Sequence, residues 1–165
     1  MQRRTLLLAG LPWPMWAAAQ GGTPWTDTLA RDAVALLADA ASHGLDPGDY
    51  DAPSLALALQ AGTPPSTLGP RLGTAMQRYL HDLHFGRVDP RAIHHDFRPV
   101  RRVPFDAAAV LDTALATGSV AGAVTAAAPP FPTYDQLRAT LARCRALATD
   151  PAWTSPLPTL PKAGR

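Results

Sequence analysis

The stretch from Leu68 to Asp96 constrains the fold more than any other part of this 165-residue chain. Leu68, Leu72, Met76, Tyr79, Leu80 and Leu83 recur at spacings of three and four, which lines them up on one side of a helix. Arg71, Arg78 and Asp82 fall on the opposite side, where water is expected to reach them. Gly86 stands where such a helix stops, since glycine takes the left-handed conformation without a steric cost. Asp89-Pro90 reads as a restart: the carboxylate can accept a backbone N–H, and proline is pre-set for a first helical position. A helix with so long an apolar side needs partners, and the flanking segments must supply them.

Those segments read as further short helices. Thr26 or Asp27 can cap one that runs to about Ser42, with Leu29, Ala33, Val34, Leu36, Leu37 and Ala40 or Ala41 inward and Gly44 as its stop. Leu45 and Tyr50 bracket Asp46-Pro47-Gly48-Asp49, a turn or a single helical turn. Pro53 opens a helix over Leu55 to Ala61 that Gly62 ends, and Thr63 to Ser66 connects it to the central helix. Ile93 to Phe97 is a short segment after the Asp-Pro restart. Arg98 to Pro104 is expected to be extended, because Pro99 and Pro104 disfavour helix in the residues before them.

Asp106 can cap a helix over Ala107 to Ala116, with Val110, Leu111 and Leu115 as its face and Gly118 as its stop. Ser119 to Ala128 makes another, closed by Pro129-Pro130. Thr133 is expected to cap the last helix, whose stripe is Tyr134, Leu137, Leu141, Cys144 and Ala148, with Asp150-Pro151 as its end. Nothing alternates for long enough to make a sheet. The expected fold is all-α: a compact bundle of six or seven short helices over about residues 26–150.

Composition removes several function classes. Apolar residues make up 47% of the chain, too many for a disordered tail, and the 18 prolines punctuate apolar segments rather than forming one tract. A net charge of +2 is too small to argue for nucleic acid, and a single cysteine allows no internal disulfide. The N-terminus reads as an export signal over residues 1–19: Arg3-Arg4, an apolar run from Leu6 to Trp16 too short to span a bilayer, then Ala17-Ala18-Ala19, with cleavage before Gln20. The paired arginines fit either the general secretory or the twin-arginine route. An uncleaved anchor is the alternative, against which Pro12 and Pro14 break the run. Residues 20–150 then form the helical domain and 151–165 a proline-rich tail or linker.

Few residues suggest chemistry. His81 and His84 are three apart on the central helix, and His94-His95 follow the restart; none fits the spacing that lets two imidazoles share a zinc ion, so no metal and no cofactor is expected. Cys144 lies between Arg143 and Arg145, which could lower its pKa, but its place on the stripe reads as a small buried thiol, with no nucleophile turn around it. No catalytic residue is expected. Arg87, Arg91, Arg98, Arg101 and Arg102 form a basic cluster beside Asp89, Asp96 and Asp106. Ion pairs that hold the arm after Gly86 are one reading; a docking surface for another domain or an anionic wall polymer is the other.

Three islands carry a resemblance. They are Ala38 through His43-Gly44-Leu45-Asp46-Pro47 to Tyr50, then Tyr79 to Pro90, then Tyr134-Asp135-Gln136-Leu137-Arg138 through Arg145 and Trp153. In order and spacing they resemble the N-terminal helical scaffold domain of the large periplasmic L,D-transpeptidases of Gram-negative bacteria, over roughly residues 28–160. The resemblance implies a periplasmic helical module that precedes a peptidoglycan-binding-like module and a cysteine-containing catalytic domain, neither of which matches anything here. Cys144 stands where that family often has an aromatic residue, so no catalytic residue carries over.

The chain is therefore expected to be a non-catalytic scaffold module, either truncated or acting beside a separate catalytic chain in peptidoglycan cross-linking. The alternative is a free-standing peptidoglycan-binding protein that uses the arginine arm. A small enzyme built on Cys144 is a distant third.

Overall fold

The computed structural model describes residues 24–88, 90–93, 96 and 104–154. Thr26 Oγ1 accepts from the Leu29 N–H at 3.2 Å and starts α1 (Asp27–Ala38). The chain then tightens into a 3₁₀ segment, Asp39–His43, which Gly44 closes in the left-handed conformation. Asp46 Oδ1 accepts from the Gly48 N–H at 2.9 Å and caps a second 3₁₀ turn, Pro47–Tyr50. After α2 (Ala52–Gln60) comes the central helix α3 (Pro65–Phe85) and the single turn α4 (Pro90–Ile93), whose first residue is the proline of the Asp-Pro restart.

Asp106 Oδ1 accepts from the N–H groups of Ala108 and Ala109 at 3.0 and 3.1 Å and starts α5 (Ala107–Thr117). Gly118 turns the chain into α6 (Val120–Ala127), capped by Ser119. The last elements are α7 (Pro132–Ala148) and a 3₁₀ turn, Pro151–Thr154. The described residues contain helices and no strand, so the all-α expectation holds.

α3 sits at the centre and packs against α1, α2, α5 and α6. Its apolar stripe is the one read from the spacing: Leu72, Met76 and Leu80 are fully buried, and Leu68, Tyr79 and Leu83 nearly so. Each such side chain contributes about 1.5–3 kcal/mol by leaving water. Leu29, Ala33 and Leu37 of α1, Leu111 and Leu115 of α5, and Val120, Ala123 and Ala127 of α6 meet it. The alanines let these helices approach closely. Among the described residues the buried side chains are aliphatic, methionine or tyrosine, Tyr50 and Tyr79 being the two tyrosines of the core.

Three details depart from the sequence reading. The central helix begins at Pro65 rather than after Ser66, because proline suits a first helical position; the Thr67 and Leu68 N–H groups bond back to Pro64 O at 2.9 and 3.2 Å. As the stripe from Leu68 requires, it runs through Pro70, where proline has no N–H for the Ser66 carbonyl. Gly86 does stop α3, but at φ 78° and ψ 155°, an extended positive-φ conformation beyond the left-handed well that is still glycine's own. The N-cap of α7 is Phe131, not Thr133, because Pro132 takes the first helical position.

The largest departure concerns the face of α7. Its expected stripe through Leu137 and Cys144 is not buried: Leu137 is 67% exposed, Cys144 is exposed, and no α7 residue is buried. Tyr134, Arg138 and Leu141 are the half-covered positions, and Arg145 reaches back to the Ala41 carbonyl. The contact line is rotated by roughly 50° about the helix axis from the apolar one. The cause is polar. Arg138 donates to the Ser42 carbonyl, and Arg145 to the Ala41 carbonyl, which also accepts from the Gly44 N–H at 2.9 Å.

Candidate functional site

The most connected polar feature is a seam that joins the first two 3₁₀ segments, α3 and α7. At its centre Tyr50 and Tyr79 pack edge to face, ring centroids 5.3 Å apart, and both rings are buried. Each keeps its hydroxyl end near polar groups. The Tyr50 hydroxyl donates to Asp82 Oδ2 at 3.0 Å. Asp82 is thus not the water-facing charge its helical angle suggests; its side chain is only 14% exposed and also approaches His81 Nδ1 at 3.3 Å. Next to it, Arg87 pairs with Asp49, which ties the arm after Gly86 to the Pro47–Tyr50 turn.

On the other side of Tyr79, His43 presents its ring edge-on at 6.3 Å and places Nδ1 2.6 Å from the Tyr134 hydroxyl. Arg138 donates through Nε to the Ser42 carbonyl at 3.3 Å and through Nη2 to Ser42 Oγ at 3.0 Å. Ser42 Oγ in turn donates to Asp39 Oδ2 at 2.8 Å. Arg138, Ser42 and Asp39 therefore form a short relay of opposite charges across the contact.

The ionisation of the seam follows from its burial. Burial lowers the His43 pKa below its ordinary 6.5; the Arg138 charge lowers it further, and Asp39 partly opposes. Burial pushes Tyr79 up to about 12, with smaller contributions from Tyr134 and Asp39. Burial and the hydrogen bond to Asp82 raise Tyr50 well above the usual phenol, and burial raises Tyr134. At neutral pH the three phenols are therefore neutral, and Tyr50 donates to Asp82.

Of the arginine arm, Arg87 pairs with Asp49. The Arg91 side chain, Arg98, Arg101 and Arg102 lie outside the described residues, as do Asp89, His94 and His95. His81 is exposed, as its angle predicts, while His84 stacks on Phe105 with centroids 4.2 Å apart and donates from Nδ1 to the Ala127 carbonyl at 3.3 Å. Among the described residues no three His, Cys, Asp or Glu side chains gather as metal ligands would. Cys144, expected to be a small buried thiol, is instead exposed and lies beside the docking line of α7.

The sequence reading names His43, Tyr134 and Arg138 in the islands of resemblance, and Tyr134 on the α7 stripe, but does not join them in one site. The available signal was the spacing of Tyr134, Arg138, Leu141 and Arg145, which share one helix face; their mixed polarity hid it behind the more apolar neighbouring line.

Comparison with known proteins bears on the whole arrangement. The family model described as Scaffold domain matches residues 13–141. The chain belongs to the Scaffold domain family. The match spans α1 to α6 and the first turns of α7, so every residue of the seam from Asp39 to Arg138 lies within this Scaffold domain. It begins inside the segment expected to be an export signal. No curated protein and no solved structure matches the chain. Among the described residues no helix is long and apolar enough to cross a membrane.

Proposed function

We propose that this Scaffold domain is the non-catalytic module of an L,D-transpeptidase, exported to the periplasm, where it braces catalytic machinery for peptidoglycan cross-linking. The observation that carries the reading is convergence. His43 and Tyr50 come from the first island, Tyr79, Asp82 and Arg87 from the second, and Tyr134 and Arg138 from the third, and these distant segments meet in one seam. The residues that make the chain resemble such scaffolds are those that join its helices to each other. They hold a shape and form no nucleophile, base and oxyanion-donor set.

The engagement of Arg87 by Asp49 supports bracing over direct wall binding. Two capture experiments separate the readings. The purified chain is mixed with intact sacculi and, separately, with an immobilised L,D-transpeptidase catalytic domain. Bracing predicts retention on the catalytic domain and none on sacculi. Sedimentation with sacculi and no retention on the catalytic domain would favour the wall-binding reading instead.

A further inference from the structure

Beside the seam, a cleft of about 360 Å³ lies between the solvent side of α3 and the Pro47–Tyr50 turn. That volume is at the small end of the range that holds a ligand. Arg71 and Arg78 stand seven residues apart on one line of α3, so two turns and about 10 Å of helix separate them. Thr74 and Ala75 lie between them, and Pro70 beside Arg71. The Thr74 hydroxyl is engaged by the Pro70 carbonyl at 2.9 Å, so this floor offers apolar contact.

The two arginines are in different states. Arg71 pairs with Asp51 and donates through Nη2 to Ser54 Oγ at 2.8 Å, which closes one end of the cleft. Arg78 is exposed and, among the described residues, makes no hydrogen bond and no ion pair. The reason lies in its neighbours. Asp82, four residues on, is the partner that a helix ordinarily offers such an arginine. That carboxylate instead accepts from the Tyr50 hydroxyl and is approached by His81. Asp49 is taken by Arg87, and Asp51 by Arg71. Every carboxylate around the cleft is committed to another group, and Arg78 keeps its whole fork of N–H donors for water or a ligand.

We propose that this cleft binds the C-terminal carboxylate of a short peptide whose last side chain is small. A carboxylate matches the guanidinium fork with two parallel hydrogen bonds. Asp49, Asp51 and Asp82 repel a phosphate dianion more strongly than a group with one negative charge. The carboxylates of Asp49 and Asp51 each meet their arginine through Oδ2, which leaves Oδ1 to accept the last N–H of a peptide. A simple acid has no such donor. Ala75 and Pro70 suit a methyl-sized side chain, and the Arg71–Asp51 pair blocks a longer one. The assignment goes beyond the bracing role and does not rest on it.

The test is NMR titration of the purified chain with N-acetylated dialanine, its C-terminal amide, acetate and inorganic phosphate. The free acid is expected to move the amide signals of Thr74, Ala75 and Arg78 with a Kd on the order of 1 mM, and to weaken as salt is added. The amide should leave those signals in place, and acetate and phosphate should bind several-fold more weakly than the peptide acid. Arg78→Gln should weaken binding by about tenfold or more, while Arg31→Gln, an exposed arginine of α1 outside the cleft, should not.

Far-UV circular dichroism checks that both variants fold; should Arg78→Gln fail to, the contrast between acid and amide on the unaltered chain decides. No shift at the cleft, an amide that binds as well as the acid, or acetate or phosphate that binds as tightly as the peptide would each overturn the assignment. So would an equal loss in Arg78→Gln and Arg31→Gln, which would mark attraction by overall charge.

Discussion

The Tyr50 hydroxyl donates to Asp82 Oδ2 at 3.0 Å and ties the Pro47–Tyr50 turn to the central helix, 32 residues away in sequence. Because Asp82 is mostly covered, losing that donor leaves a carboxylate poorly solvated. Tyr50→Phe is expected to cost about 1–2 kcal/mol, within the range for a hydrogen bond to a partly covered charge. Urea denaturation measures it. An unchanged midpoint would mean that water replaces the bond freely.

The core and the outer helix should respond very differently to the same truncation. Leu80 is fully buried in α3, and Leu80→Ala is expected to cost about 2–5 kcal/mol. Leu137 is two-thirds exposed on α7, and Leu137→Ala should stay within about 0.5 kcal/mol of the parent. Thermal melts of the two variants check the contrast. A large loss from Leu137→Ala would show a cover over that face.

Two glycines of the same helix should change in opposite directions. A Cβ at Gly73 would meet no atom within 4 Å, so Gly73→Ala should stabilise by about 0.5–1 kcal/mol through helix propensity alone. Gly86 holds φ 78°, so Gly86→Ala should destabilise by about 1–3 kcal/mol despite the open space around it. Chemical denaturation of both tests the pair, and stabilisation by Gly86→Ala would contradict the positive-φ stop.

The alkaline limb of stability should be governed by the tyrosines. Burial holds Tyr79 up to about 12 and raises Tyr50 and Tyr134, so the folded state favours neutral phenols. Their contribution is complete below the unfolded value of about 10 and is lost as pH rises from there through about 12. Tyrosinate absorbance and helical circular dichroism should change together over that range. Phenols titrating near 10 with the helices intact would exclude this coupling.

Legibility in the sequence follows the physics of each element. Where one periodicity and one stop signal coincide, as from Leu68 to Gly86 or Asp106 to Gly118, the helix and its buried face are readable, since burial of leucine and methionine dominates. α7 defeats that reading because its attachment is made by the polar ends of Tyr134, Arg138 and Arg145, which hydrophobicity ranks below Leu137 and Cys144. Asp82 was assigned to water for a related reason: its partner, Tyr50, comes from a distant turn that no helical angle reveals. Pro70 does not hide α3, because the stripe that starts at Leu68 carries the helix through it and packing outweighs the bond that proline removes.

The bracing role is tested most directly by cross-linking in trans. An L,D-transpeptidase catalytic domain that lacks its scaffold is assayed on muropeptides with and without the purified chain, and the chain is assayed alone. The account predicts no turnover by the chain alone and faster cross-linking when both are present. Turnover by the chain unaided, or a catalytic domain indifferent to its presence, would contradict it.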